Sequence, residues 1–409
     1  MDKIRIGIFF GGRSKEREIS FAGGRTVYDN LNKTYFEAIP IFVDSWGNFC
    51  ILNWEYIYKG TIRDFYPPVE YLPTQSEFQY YAENLGNIDR SKQFEMLDKI
   101  GKSIASDELV NCIDFAFLCL HGPYGEDGRI QGLLEYFEIP YSGSGILPSS
   151  IGIDKSVQKN LMVKHGFNSP PFFTIERKKW NSNFHDFLTK AADEIGFPMV
   201  IKPANQGSSI GVSILTKSDT QEKDFMGAVE KAFFNFRIKS ELWKSKNENE
   251  KKEFIRHVTD IREGIGLPVT IDSKKFNNPD ELFIHLNEIF KTTEEIVLQS
   301  NDGESSVLVE GFIEGKEFSC IVIENENGEP IALPPTEIRK GKELFDYRSK
   351  YLPGLSRKIT PIDLPTENIN AIRKECERLF YDLKFDVYAR IDGFISKEGK
   401  IFLNDPNTT

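Results

Sequence analysis

Cysteine is scarce in this chain of 409 residues: there are five, Cys50, Cys112, Cys119, Cys320 and Cys376. The number is odd and no pair has CxxC spacing, which excludes a disulfide scaffold. What remains is reduced, mostly buried thiols, the usage of a cytoplasmic protein. Long apolar runs are missing as well. None approaches the ~18 residues of a membrane span, so no membrane partner is expected. Positive charge is in deficit: 51 Lys and Arg stand against 62 Asp and Glu, a net charge of −11. That balance argues against nucleic acid as a partner, and any anionic ligand needs a locally basic pocket. The opening, Met1-Asp-Lys-Ile-Arg5, runs directly into a strand pattern, and no signal peptide is expected.

Two familiar nucleotide motifs are also lacking. The apolar run Ile4–Phe10 ends at Gly11-Gly12 and leads to a helix over about Phe21–Leu31 and a second strand, Phe36–Val43. This β-α-β opening predicts a parallel sheet. Gly7, Gly11 and Gly12 do not make G-x-G-x-x-G, which argues against a dehydrogenase. Downstream, the strand Phe197–Lys202 meets the loop Asn205-Gln-Gly-Ser-Ser-Ile-Gly211. This is not a Walker A loop, yet its backbone N–H groups can cradle phosphate with Lys202 supplying charge. A plain hairpin turn is the competing reading.

What is present is ordinary globular material, 40% hydrophobic and 28% charged, enough for roughly two to three domains. A buried strand, Ile113–Leu120, runs into His121-Gly-Pro-Tyr-Gly-Glu-Asp-Gly128. Such a loop at a strand's carboxyl end is where open α/β sheets bind ligands, although Glu126 and Asp127 serve equally as helix caps. Tyr141–Gly145 has the composition of a hinge. Residues 45–110 read as inserted hairpins. Phe225, Ala228, Val229, Ala232, Phe233 and Phe236 give an amphipathic helix over 220–236. The polar stretch Arg237–Arg256 reads as a solvated helical excursion. Asn278-Pro279 starts a further helix. Ser306–Ile323 reads as strand, loop, strand with Glu310 and Glu317 flanking the loop, and Glu367–Leu383 is the last helix.

The final stretch, Arg390 to Thr409, reads as two strands about a turn at Glu398-Gly399-Lys400. Asp392 lies on the first, and Asp405 and Asn407 lie two apart on the second, facing the same way. All three offer side-chain oxygen, the ligand type of a hard divalent cation. A polar hairpin whose acids face water fits equally well at this level.

In order and together, these blocks resemble the D-alanine–D-alanine ligase family of the ATP-grasp superfamily. The matching stretches are Phe10–Ser20, His121–Gly128 with Gln131-Gly132, Tyr141–Gly145, Asp154-Lys155, Lys202–Gly211, Val307–Glu317, Asp346–Tyr351 and Arg390–Thr408. The resemblance implies an α/β (α+β ATP-grasp) fold. A Rossmann-like N-terminal domain (1–143) precedes a central subdomain (144–306) and a C-terminal subdomain (307–409), with nucleotide between the latter two. The family usually has one helix where this chain has residues 216–305, which reads as an insertion in the central subdomain. It also continues past Asn-Thr with a second-substrate loop and a helix, so a truncated end is expected here.

Carried over residue by residue, Lys155 and Lys202 would contact the α- and β-phosphates, and the Ser208-Ser209 loop would cover them. Glu310 would accept from the adenine amino group, Phe312 and Ile313 would border the ring, and Glu317 would take the ribose hydroxyls. Asp392, Asp405 and Asn407 would hold two Mg²⁺ ions, with Mn²⁺ as a substitute; the family usually has Glu at Asp405. Arg390 would stabilise the tetrahedral oxyanion. Glu16 would bind the first substrate's ammonium and, with Ser208 and Tyr351, close the site. His121 and Lys350 would help bind substrate, and the Lys350-Tyr351 pair favours an amine acceptor. The implied activity is ATP-dependent joining of two D-alanines for peptidoglycan precursors, by a cytoplasmic homodimer. A carboxylate–amine ligase with another acceptor, or a nucleotide-binding module without ligase activity, are the alternatives.

Overall fold

The computed structural model describes residues 3–180, 184–216, 222–340 and 356–408. The chain forms two units: residues 1–121, 137–140 and 234–303 in the first, and 122–136, 141–233 and 304–409 in the second.

The first unit is built on a five-stranded sheet with Ile4–Gly11 one strand in from its edge. The strand pairs in parallel with both Phe36–Val43 and Phe115–Leu118. Flanked on both sides, it can be apolar along nearly its whole length, and six of its eight residues are buried. It stops because Gly11 and Gly12 take φ of +93° and +88°. A Cβ on Gly11 would stand 2.6 Å from the Val43 carbonyl, so only glycine makes this exit. The helix Arg17–Asn30 follows. The expected hairpins of residues 45–110 reduce to one antiparallel pair, Phe49–Leu52 with Gly101–Ile104, which extends the sheet. The rest of that stretch is largely 3-10 turns and the helix Arg90–Leu97.

A second, antiparallel sheet in this unit comprises Asn235–Lys239, Val269–Ile271, Lys274–Phe276 and Glu295–Ser300. The stretch 216–305 is therefore divided. The helix Glu222–Ala232 stays with the second unit, and Phe234–Gly303 joins the first. Arg237–Arg256, read from its polarity as a helical excursion, begins with a strand and continues as the helices Ser240–Lys244 and Glu248–Thr259. Asn278 caps the helix Pro279–Ile289 as expected, accepting from Glu281 N.

The second unit holds two sheets. The central one has the order Phe172–Glu176, Ser306–Gly311, Met199–Pro203, Ser213–Leu215, all antiparallel. The C-terminal one centres on Lys316–Glu324 and Tyr388–Ile395 and ends at Ile401–Asn407. The helix Thr366–Asp382 covers its inner face with Ile372, Cys376, Leu379 and Phe380 against Phe318, Cys320, Val322 and Ile391. All five cysteines are free thiols, and four are buried. Among the described residues no helix is long and apolar enough to cross a membrane.

Candidate active site

The middle strand of the central sheet ends in a lysine with nowhere to go but inward. Lys202 is 4% exposed, and its Nζ lies 2.8 Å from Glu310 Oε1 and 3.6 Å from Asp405 Oδ1. It also donates to Asn404 Oδ1 at 3.2 Å. The other oxygen of Glu310 lies 2.6 Å from Lys159 Nζ. Burial pushes the Glu310 carboxyl up, but the two ammonium groups outweigh it and hold the group below its ordinary range. For Lys202, burial opposes the charge, yet Asp405 and Glu310 together raise it above the usual lysine value. Lys159 goes the other way: its burial dominates, and it shares one carboxylate with a second cation. Each Glu310 oxygen retains a second lone pair, so the carboxylate can accept once more.

Lys155 and Lys159 lie one turn apart on the helix Lys155–Lys164, whose N-cap, Asp154, accepts from Ser156 N and Val157 N. Lys155 donates from Nζ to the Gln206 carbonyl at 2.9 Å, which ties the helix start to the Gly/Ser loop. That loop turns through Ser208 and Ser209 at φ +53° and +59°. Two consecutive non-glycine residues in the left-handed region carry strain of the kind that gathers at ligand-binding loops. Its entry is held by Glu304, which accepts from Asn205 N and Nδ2. Burial raises the Glu304 carboxyl.

On the C-terminal sheet, Glu317, Asp392 and Arg390 share one face, because Glu317 pairs with Phe394, Ser319 with Asp392 and Ile321 with Arg390. They line a cavity of about 410 Å³ together with Ser319, Ile321, Leu333, Pro334, Thr336, Ile338, Lys358 and Thr360. Arg390 Nε lies 3.4 Å from Asp392 Oδ1. The last hairpin pairs Arg390 with Asn407, and the register shifts after Ile391, which brings Asp392 opposite the 404–405 region. Asn407 donates from Nδ2 to the carbonyls of Asp405 at 3.0 Å and Arg390 at 3.5 Å. Its Oδ1 remains an acceptor.

The predicted residues therefore fall into groups. Lys202 and Glu310 form a buried pair that reaches the half-buried Asp405; Glu317, Arg390 and Asp392 line one cavity; Lys155 meets the Ser208-Ser209 loop through Gln206. Phe312 and Ile313 are half-buried just beyond Glu310, with Phe312 N donating to the Pro198 carbonyl. In the first unit, Glu16 is buried immediately before the first helix and His121 is half-buried at the end of the sheet. Glu126 and Asp127 act locally: Glu126 accepts from Gly122 N and Asp127 from Tyr124 N. Lys350 and Tyr351 lie outside the described residues. Sequence reading missed Lys159, Glu304 and Asn404. Lys159 had a signal, four residues after Lys155 and so on the same helix face; Glu304, 99 positions from Asn205, had none.

The fold is that of the D-alanine ligases of known structure. A D-alanine–D-alanine ligase from Coxiella burnetii matches at a TM-score of 0.60 and 18% identity, covering all of this chain and 85% of the other. The VanG D-Ala:D-Ser ligase from Enterococcus faecalis matches at 0.61 and 20%, covering 100% and 90%. The Bacillus anthracis D-alanine–D-alanine ligase complexed with ATP matches at 0.52 and 24%, covering 100% and 87%. The chain belongs to the D-alanine–D-alanine ligase family: the model "D-ala D-ala ligase N-terminus" matches residues 5–144, and "D-ala D-ala ligase C-terminus" matches 161–236 and 241–409. It is thus a member of an ATP-dependent ligase family. Its curated relatives include the D-alanine–D-alanine ligases of Pelotomaculum thermopropionicum, 28% identical, and Geobacillus thermodenitrificans, 26% identical. Each alignment covers 99% of this chain and 86% of the relative.

Proposed function

We propose that this chain uses ATP to join two molecules of D-alanine through an acyl phosphate, with the second unit holding the nucleotide. The observation that carries the reading is the Lys159–Glu310–Lys202 network, buried and joined to the half-buried Asp405. With both carboxylates ionised the four charges of this network cancel, so Lys155, whose Nζ reaches the Gly/Ser loop at Gln206, supplies the surplus positive charge that a polyphosphate ligand needs. Lys202 and Lys155 bind phosphate oxygens, and the Ser208-Ser209 loop covers them with its amides. Glu310 accepts from the adenine amino group with a remaining lone pair, Phe312 and Ile313 border the ring, and Glu317 takes the ribose hydroxyls.

A divalent cation fits the last hairpin by the chemistry of its donors. Asp392 and Asp405 supply carboxylate oxygen and Asn407 a free amide oxygen, all hard ligands. Among the described residues no group of three His, Cys, Asp or Glu forms a site that could hold a metal, and this reading draws its third donor from the amide of Asn407. Bound there, Mg²⁺ would offset phosphate charge that otherwise repels an incoming carboxylate.

The chemistry divides into two displacements. The first D-alanine, its ammonium held by Glu16, attacks the γ-phosphorus through its carboxylate; ADP leaves and an acyl phosphate forms. The neutral amine of the second D-alanine then attacks the carbonyl carbon. The resulting oxyanion faces Arg390, which is always charged, and collapse expels inorganic phosphate and leaves the peptide bond. Closure by Ser208 and Tyr351, and binding of the second carboxylate by Lys350 with help from His121, complete the assignment.

The test is phosphate release by the full chain with ATP and MgCl₂. Release that depends on D-alanine and yields D-alanyl-D-alanine is expected. Release that ignores D-alanine, or that is faster with D-serine or D-lactate as acceptor, overturns the reading.

A further inference from the structure

We propose that Lys15 is a positioning residue for Glu16, and that the second sheet of the first unit takes part in substrate binding by holding it. The inference rests on the ligase reading above and deepens it. Glu16 lies in a loop gripped at alternate residues. Arg13 pairs with Asp302 at 2.9 Å, Lys15 donates from Nζ to the Ile265 carbonyl at 2.9 Å, and Arg17 pairs with Glu83 at 2.9 Å. Lys15 Nζ also stands 4.7 Å above the Phe234 ring. Glu16 itself is tied through its backbone: its N–H donates to Ser14 Oγ, and its carbonyl accepts from Ile19 and Ser20.

The grip is rigid on both sides. Ile265 lies in the turn after the helix Glu248–Thr259, and its N–H donates to the Val258 carbonyl. Gly264 has no room for a side chain, since a Cβ would meet the His257 and Val258 carbonyls at 2.3 Å, and Gly266 holds φ +71°. The helix before this turn and the start of the helix Pro279–Ile289 are anchored to residues 76–84. Asp280 accepts from Ser76 and Tyr80, Lys252 pairs with Glu77, and Asn84 donates to the Asn277 carbonyl. Glu83, the partner of Arg17, belongs to that same stretch. Lys15 and Arg17, on either side of Glu16, are thus fastened to one body.

Lys15 is an expensive way to make a structural contact. It is 8% exposed, and its immediate partners are a carbonyl and a ring rather than a carboxylate. Burial lowers the ammonium to about 8, with Arg17 adding to the fall and Asp302, Asp260 and Glu83 opposing it. An apolar side chain would fill the space at lower cost. What the lysine adds is a directed hydrogen bond beside the residue that receives the substrate's ammonium.

The test uses the full chain with Lys15→Met and, from the opposite side, Gly266→Ala. For both, the KM for D-alanine should rise roughly tenfold or more, as misplacement of a binding group does, while the KM for ATP stays within twofold. Lys15→Met should keep or raise its melting temperature. A D-alanine KM unchanged in both variants overturns the inference, as does an equal rise in both KM values with a lowered melting temperature. If the unaltered chain shows no D-alanine-dependent phosphate release, the ligase reading falls and this inference with it. An active unaltered chain with unaffected variants removes this inference alone.

Discussion

Glu310 sits with one oxygen on each of two buried ammonium groups, and this arrangement sets the energetic character of the second unit. Removing the carboxylate charge leaves two lysines in a low-dielectric interior, and breaking such a pair typically costs about 3–5 kcal/mol. Glu310→Gln should therefore lower the melting temperature by on the order of 10 °C, read by calorimetry, and weaken ATP binding. Lys202 keeps Asp405 as a partner, so Lys159 is the cation that suffers most. Arg390 is different. Its side chain is half-exposed and lines the cavity beside Asp392, so Arg390→Ala should leave the fold and ATP affinity nearly unchanged. Turnover should fall a hundred- to thousandfold, the usual effect of losing an oxyanion donor. Near-normal turnover with intact ATP binding would refute its assigned role.

At the scale of elements, the helix Lys155–Lys164 matters because it carries both Lys155 and Lys159, and one residue fixes its start. Asp154 Oδ1 accepts from two backbone N–H groups and from Ser156 Oγ. Asp154→Ala should cost about 1 kcal/mol, a few degrees of melting temperature, and should loosen nucleotide binding through the displaced lysines. The closing hairpin and the Asn278-Pro279 cap were legible because each is written in local spacing. The hairpin's alternation put Asp392, Asp405 and Asn407 at one end, and the register bears out the pairing of its strands. The second sheet of the first unit was not legible. Its strands Val269–Ile271 and Lys274–Phe276 are three residues each, too short for a period to show, and Arg237 and Lys239 make Asn235–Lys239 look solvated. Glu304 escaped for another reason: its partner Asn205 is distant in sequence, and no local pattern encodes such a pair.

At the scale of the whole molecule, pH separates the buried network from the many surface acids. The folded Glu310 carboxyl lies below its ordinary value of 4.5. Its stabilising contribution is present above that value and is lost as pH falls through the lowered folded pKa. Lys202 lies above its ordinary 10.5, so its contribution is complete below 10.5 and is lost as pH rises through the raised value. Lys15 runs opposite to both. Its ammonium is lowered to about 8, so below that pH the folded state carries a charge it holds unfavourably. The penalty fades as pH rises from about 8 toward 10.5. Denaturant midpoints across pH should therefore show three distinct limbs. The gap between the unaltered chain and Glu310→Gln should close as pH falls below about 4.5. The gap between the unaltered chain and Lys202→Met should hold steady to pH 10 and shrink only beyond it. Lys15→Met should gain least, relative to the unaltered chain, at the alkaline end. A Glu310→Gln gap that stays constant from pH 7 to pH 3 would mean that the carboxylate is not held ionised by its two lysines, and the electrostatic account of the nucleotide site would have to be abandoned.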